Sequence, residues 1–168
     1  MFSVALVTGL AALTVLLSRL RINPVRRHPH NGRLHRLLIV LDTDVDASEL
    51  AEAVAVRAIA RRLVVRLVAP TLPSTLHLLY DDDAAEHEGA RLRLRTAKRA
   101  LAEIGIRAEG RVGAADPLQA AADAVAAWPA DEILFVAPLP SRRRSLEREL
   151  ELKARDLLGL PVGTVYAR

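Results

Sequence analysis

The sequence predicts an α/β domain: a five-stranded parallel sheet in order 3-2-1-4-5 with helices on both faces, preceded by one N-terminal transmembrane helix. Two observations carry the sheet. Short, wholly apolar runs such as Leu37 to Leu41 read as strands buried on both sides, and they alternate with longer stretches of helical periodicity. That alternation is the signature of strand–helix–strand crossovers, which place helices over both faces. The third observation is charge. The first 36 residues hold six arginines and no acid, whereas the rest sets 18 basic residues against all 20 acids, a net of −2.

Residues 1–20 form the predicted transmembrane anchor. Met1 to Leu17 carries no charged side chain, and Ser18, a snorkelling Arg19 and Leu20 bring the run to the ~17–25 residues that span a bilayer. A secretory signal has its basic residues ahead of the apolar run; here Arg21, Arg26, Arg27, Arg33 and Arg36 follow it. By the positive-inside rule this flank stays cytoplasmic. The expectation is a single-pass protein of the plasma membrane or cell inner membrane, N-terminus outside and C-terminal domain in the cytoplasm. Asn23-Pro24 ends the helix. Residues 21–36 read as a basic juxtamembrane tether suited to anionic lipid, at roughly 1 kcal/mol per basic residue near the surface. Because the basicity is local to the leader, the partner it implies is membrane lipid and not nucleic acid.

The domain runs from 37 to 168, and its 132 residues suffice for one core. With no cysteine, it has neither disulfides nor cysteine metal ligands. Leu37 to Leu41 is the first strand. Ala47 to Arg62 follows as a helix with Leu50, Val54 and Ala58 on one side. Val64 to Val68 is the second strand, stopped by Ala69-Pro70. Asp83 to Ile104 is a long helix whose stripe is Ala90, Leu94, Ala97, Leu101 and Ile104. Gly105 stops it, and Ile106 to Val112 is the third strand. Asp116-Pro117 pairs an N-cap with an N1 proline, opening a helix that runs to Trp128. Glu132 to Ala137 is the fourth strand. Arg142 to Leu158 is the last helix, with Leu146, Leu150, Ala154 and Leu157 on one side. Gly159 ends it, and Val162 to Tyr166 is the fifth strand.

Sheets of this kind bind ligands at the carboxyl ends of the strands, where strand order reverses. In order 3-2-1-4-5 that point lies between strands one and four, which singles out the loops Asp42 to Ser48 and Pro138 to Ser145.

Four features resemble a universal stress protein domain over about Leu37 to Ala167: Val40-Leu41-Asp42 at the end of strand one; Val68-Ala69-Pro70 at the end of strand two; Val112-Gly113 followed by Asp116-Pro117; and the closing run from Asp156 to Val162. Asp116 to Ala120, Asp131 to Ile133 and the Pro, Ser and Arg-rich stretch before the last helix resemble a divergent actinobacterial group within that superfamily. The resemblance implies a HUP-like α/β fold and a nucleotide pocket, in which Asp42 takes the place of the acid at the adenine end. One departure cuts against phosphate binding. ATP-binding members carry Gly-x-x-Gly and a later Gly-Ser or Gly-Thr after strand four, whose amides close on phosphates. This chain has no glycine between Gly113 and Gly159, and Pro138 and Pro140 remove two donors there.

A bound nucleotide such as ATP or AMP would then meet Asp42, Thr43, Asp44, Ala69, Pro70, Gly113, Ser141, Arg142 and Arg143. The arginines Arg142 to Arg144 open a helix whose dipole they oppose, so they either hold an anion or pair with acids such as Glu147. Asp42-Thr43-Asp44 matches the Asp-x-Asp start of a haloacid-dehalogenase-like phosphatase, but no lysine or second acid pair follows a later strand. A calcium loop fails too: Ala47 and Ala53 stand where the turn glycine and the bidentate glutamate belong. Asp81 to Asp83 with Glu86, His87 and Glu88 reads as acids favoured at a helix start rather than a metal site. The reading is therefore a non-catalytic, membrane-anchored binding or regulatory module, with no metal and no required cofactor. Its alternatives are an accessory subunit contacting a membrane protein partner and, third, a small phosphatase. A homodimer through the last strand is the family's habit.

Overall fold

The computed structural model describes residues 34–72, 83–138 and 144–167. The anchor and nearly all of the tether lie outside them, as do Ser141, Arg142 and Arg143. Among the described residues no helix is long and apolar enough to cross a membrane.

The chain order is β1 (His35–Leu41), α1 (Ala47–Ala60), β2 (Leu63–Pro70), α2 (Asp83–Glu103), β3 (Ala108–Gly113), α3 (Pro117–Ala127), β4 (Glu132–Pro138), α4 (Arg144–Leu158) and β5 (Val162–Ala167). All strand pairs are parallel, in the order β3-β2-β1-β4-β5. β1 is central: Leu37 to Leu41 are fully buried because both faces are covered. Leu37, Ile39 and Leu41 pack under α1 and α2 with Leu50, Val54, Leu94 and Leu101. Leu38 and Val40 face the other way, toward Phe135, Ala120, Ala121 and Ala124.

The helix boundaries follow local chemistry. Asp46 caps α1 by accepting from the backbone N–H groups of Ser48 and Glu49 at 2.9 and 3.2 Å. Asp116 caps α3 through the Gln119 N–H at 2.8 Å, with Pro117 at the first turn. Gly105 and Gly159 end α2 and α4 at φ of +78° and +64°, where a side chain would be strained.

Four sequence expectations shift. β1 begins at His35, so His35 and Arg36 belong to the sheet and not the tether; the Arg36 backbone N–H and guanidinium both hold Asp131. β3 begins at Ala108 and not at Ile106, because the Ile106 N–H closes the end of α2 on the Leu101 carbonyl at 2.9 Å. Ile106 thus completes a Schellman turn and packs on the core from there. In α1 the inward stripe is Leu50, Ala53, Val54 and Arg57, while Ala58 is exposed. Arg57 takes the i+7 place because its guanidinium is used inside. In α4 Leu158, one turn after Ala154, packs on the core, and Leu157 points outward at 63% exposure.

Candidate functional site

The carboxyl ends of β1, β2 and β3 bring Asp42, Thr43, Asp44, Ala69, Pro70 and Gly113 to one end of the sheet. The Asp42 N–H donates to the Val136 carbonyl of β4 at 2.9 Å, which fixes the chain at the switch point between β1 and β4. Ser141, Arg142 and Arg143, expected on the far side of this crevice, fall outside the described residues.

The crevice also holds Arg93, a side chain absent from the expectations drawn from sequence. It is only 7% exposed, and its Nη2 donates to the Pro70 carbonyl at the end of β2. Its Nε has no hydrogen-bond partner among the described residues. Burial lowers its pKa, while the charges of Asp44 and Asp42 partly restore it. The signal was present: Arg93 stands three residues after Ala90 and four before Ala97, inside the buried stripe of α2.

Asp42 is the perturbed acid. Burial pushes its carboxyl up to about 6; the Arg93 charge pulls it down and the Asp116 charge pushes it up. Near neutrality this group therefore changes charge in response to a ligand or a small change in pH. Asp46, by contrast, is committed to its helix cap, and Ser48 Oγ also meets it at 2.6 Å. The acids after β1 thus divide, with Asp42 aimed at the crevice and Asp46 structural. Near the start of α2, Glu88 is likewise engaged, pairing with Arg95 at 2.8 Å and Arg91 at 3.7 Å.

Gly113 lets β3 end close to its neighbours. A Cβ there would lie 2.6 Å from Val68 Cγ2 and 2.9 Å from Ala120 Cβ. The second contact is with a rigid helix position, so Gly113→Ala is expected to cost roughly 1–3 kcal/mol. A thermal melt followed by circular dichroism measures it, and an unchanged midpoint would show that β3 and α3 separate freely.

A second buried polar cluster lies at the opposite, amino end of the strands. Glu132, 4% exposed at the start of β4, accepts from Arg57 Nε at 2.7 Å and meets His35 Nε2 at 3.0 Å and Arg61 Nη1 at 3.5 Å. Burial alone would raise its pKa, but the His35 hydrogen bond and the Arg57 charge prevail and hold it below the usual glutamate range.

This architecture matches solved universal stress proteins. The protein from Archaeoglobus fulgidus superposes with a TM-score of 0.56 at 19% identity, covering 78% of this chain and 93% of that one. A family member from Burkholderia pseudomallei gives 0.52 at 23% identity, covering 83% and 100%. A universal stress protein solved in complex with cAMP gives 0.55 at 16% identity, covering 80% and 99%. No protein-family model matches the chain, and no curated protein matches it in sequence. The domain has the universal stress protein fold, a five-stranded parallel α/β sheet in order 3-2-1-4-5.

Proposed function

We propose that this chain is a membrane-anchored, cytoplasmic binding or regulatory module of the universal-stress type, of the divergent actinobacterial kind, with no chemistry of its own. The observation that carries the reading is the crevice at the carboxyl ends of the strands, where Asp42 titrates near 6 beside the buried Arg93. This is the switch point at which such sheets take ligands. The charge-free run of residues 1–17 and the arginines behind it support the anchor. No lysine and no second acid pair follows a later strand, as a phosphatase needs, and this supports binding over catalysis.

A nucleotide held here is recognised by its base and sugar more than by its phosphates, since no glycine lies between Gly113 and Gly159 to form an amide cradle. The full-length chain in detergent, titrated calorimetrically with adenosine, AMP, cAMP and ATP, is expected to bind all four with similar affinity and to lose all four in Asp42→Ala. Absence of heat at millimolar ligand would remove the nucleotide-sensing form.

That outcome leaves the second reading, an accessory subunit whose domain contacts a membrane protein partner. One observation favours it: the Pro70 carbonyl, an acceptor at the heart of the crevice, is already taken by Arg93. A stoichiometric membrane protein retained on the detergent-solubilised chain would support it.

A further inference from the structure

Away from the strand ends, a groove of about 230 Å³ opens between α3 and the β3 edge of the sheet. It exists because the inward face of α3 is built from alanines and, among the described residues, β3 is the edge strand of the sheet. Strand register explains its lining. Leu38, Arg66 and Glu109 are lateral neighbours on β1, β2 and β3, so their side chains share the face that α3 covers. Arg111 lies two residues beyond Glu109 on that same face. Leu38 and Ala124 lie beneath the groove, almost wholly buried, and its accessible apolar wall is Ala127 and the half-buried Trp128 ring.

The rim is cationic. Arg66 stands with Cζ 5.0 Å from the Trp128 ring centroid and pairs with Glu109 at 3.0 Å. A guanidinium has five donors, so that pairing leaves Arg66 with further bonds to offer. Arg111 is exposed and makes no ion pair among the described residues. Two guanidinium groups therefore face one carboxylate beside an apolar wall of Ala127 and an indole. The volume is below the ~300–1,000 Å³ of sites for drug-sized ligands, which suits one or two fused rings.

We propose that this groove binds a planar aromatic carboxylate, its ring against Ala127 and the edge of Trp128 and its carboxylate on Arg111 and Arg66. The site is separate from the strand-end crevice and does not depend on the nucleotide reading. Charge complementarity selects the anion: a neutral ring gains only the apolar wall, whereas a carboxylate adds charge-assisted hydrogen bonds to guanidinium.

Trp128 is the sole tryptophan, so the indole N–H gives a single reporter resonance in the nitrogen-15-labelled full chain in detergent. Titration with 2-naphthoate is expected to move that resonance saturably. Arg111→Glu should weaken the apparent affinity about tenfold, and Glu109→Gln should strengthen it several-fold, because the competing carboxylate on Arg66 is gone. Both positions are exposed, so both variants keep the fold. The neutral analogue 2-naphthalenemethanol should bind weakly and respond to neither variant. A resonance that does not move at millimolar 2-naphthoate overturns the proposal, as does an affinity indifferent to both substitutions.

Discussion

Glu132→Ala is expected to lower the unfolding free energy by about 3–5 kcal/mol, the amount lost when one partner of a buried ion cluster is removed. The reason lies in what remains. Arg57, with its side chain 11% exposed, and Arg61, 21% exposed, would keep two guanidinium groups beside His35 with no carboxylate between them. Against a total stability of ~5–15 kcal/mol for a domain of this kind, that loss is severe. Chemical denaturation followed by circular dichroism measures it. Glu132→Gln should lose nearly as much, since the shape is kept and the charge is not. Replacing Glu132 and Arg57 together by leucine should cost much less than either single change, because burying apolar groups leaves fewer charges unpaired. A small effect of Glu132→Ala would mean that water reaches the cluster. The carboxyl is held below its ordinary range, so its contribution is full above the unfolded pKa and is lost as pH falls through the folded one. Asp131 acts in the same direction: the hydrogen bond from Arg36 holds it at about 2.

Asp42→Asn is expected to do the opposite and stabilise the chain at neutral pH. In the folded state this carboxyl titrates near 6, against 3.8 when free of its surroundings. Between those values the folded state holds more protons than the unfolded one. Stability is therefore greatest below the unfolded pKa and is lost as pH rises through 6. Asparagine cannot ionise, so it escapes that loss. The gain should be ~1–3 kcal/mol at about pH 8 and should vanish at about pH 4. Thermal melts of both proteins across that range test it. Equal midpoints at the higher pH would mean that Asp42 is solvated and not pressed into the crevice. A residue kept at a cost to stability is the usual mark of a binding position, so the same variant should bind any crevice ligand differently.

Much of the fold was legible in the residues, and the misses share one cause. Wholly apolar runs declared β1 and most of β4, and Gly105, Gly159 and Asp116-Pro117 punctuated the helices where the backbone needs them. Polar residues buried on purpose were not legible. Arg57 and Arg93 each sit in phase with an apolar stripe, and Glu132 stands directly before the apolar run of β4, yet charge suggests surface until partners from distant segments are known. His35 and Glu132 are 97 residues apart in sequence, which no periodicity can reveal. The strand-end residues Asp42, Pro70 and Gly113 followed from topology. Arg93 did not, because it enters from mid-helix. The groove beside Trp128 depends on strand register, which places Arg66 beside Glu109, and on the small side chains of α3.

The position of β1 has a mechanical consequence. It enters the sheet at His35 and is bound along its length on both sides, through six register positions to β2 and five to β4. Tension on the residues ahead of His35 runs along the strand axis. It therefore loads both ladders in shear, all rungs together, instead of peeling them one at a time from an edge. Had the chain entered through β3 or β5, a pull could have unzipped one row of hydrogen bonds. Under the anchoring proposed for residues 1–20, the domain would be held by its middle strand, and a tug on the chain ahead of His35 would reach Asp42 at that strand's far end.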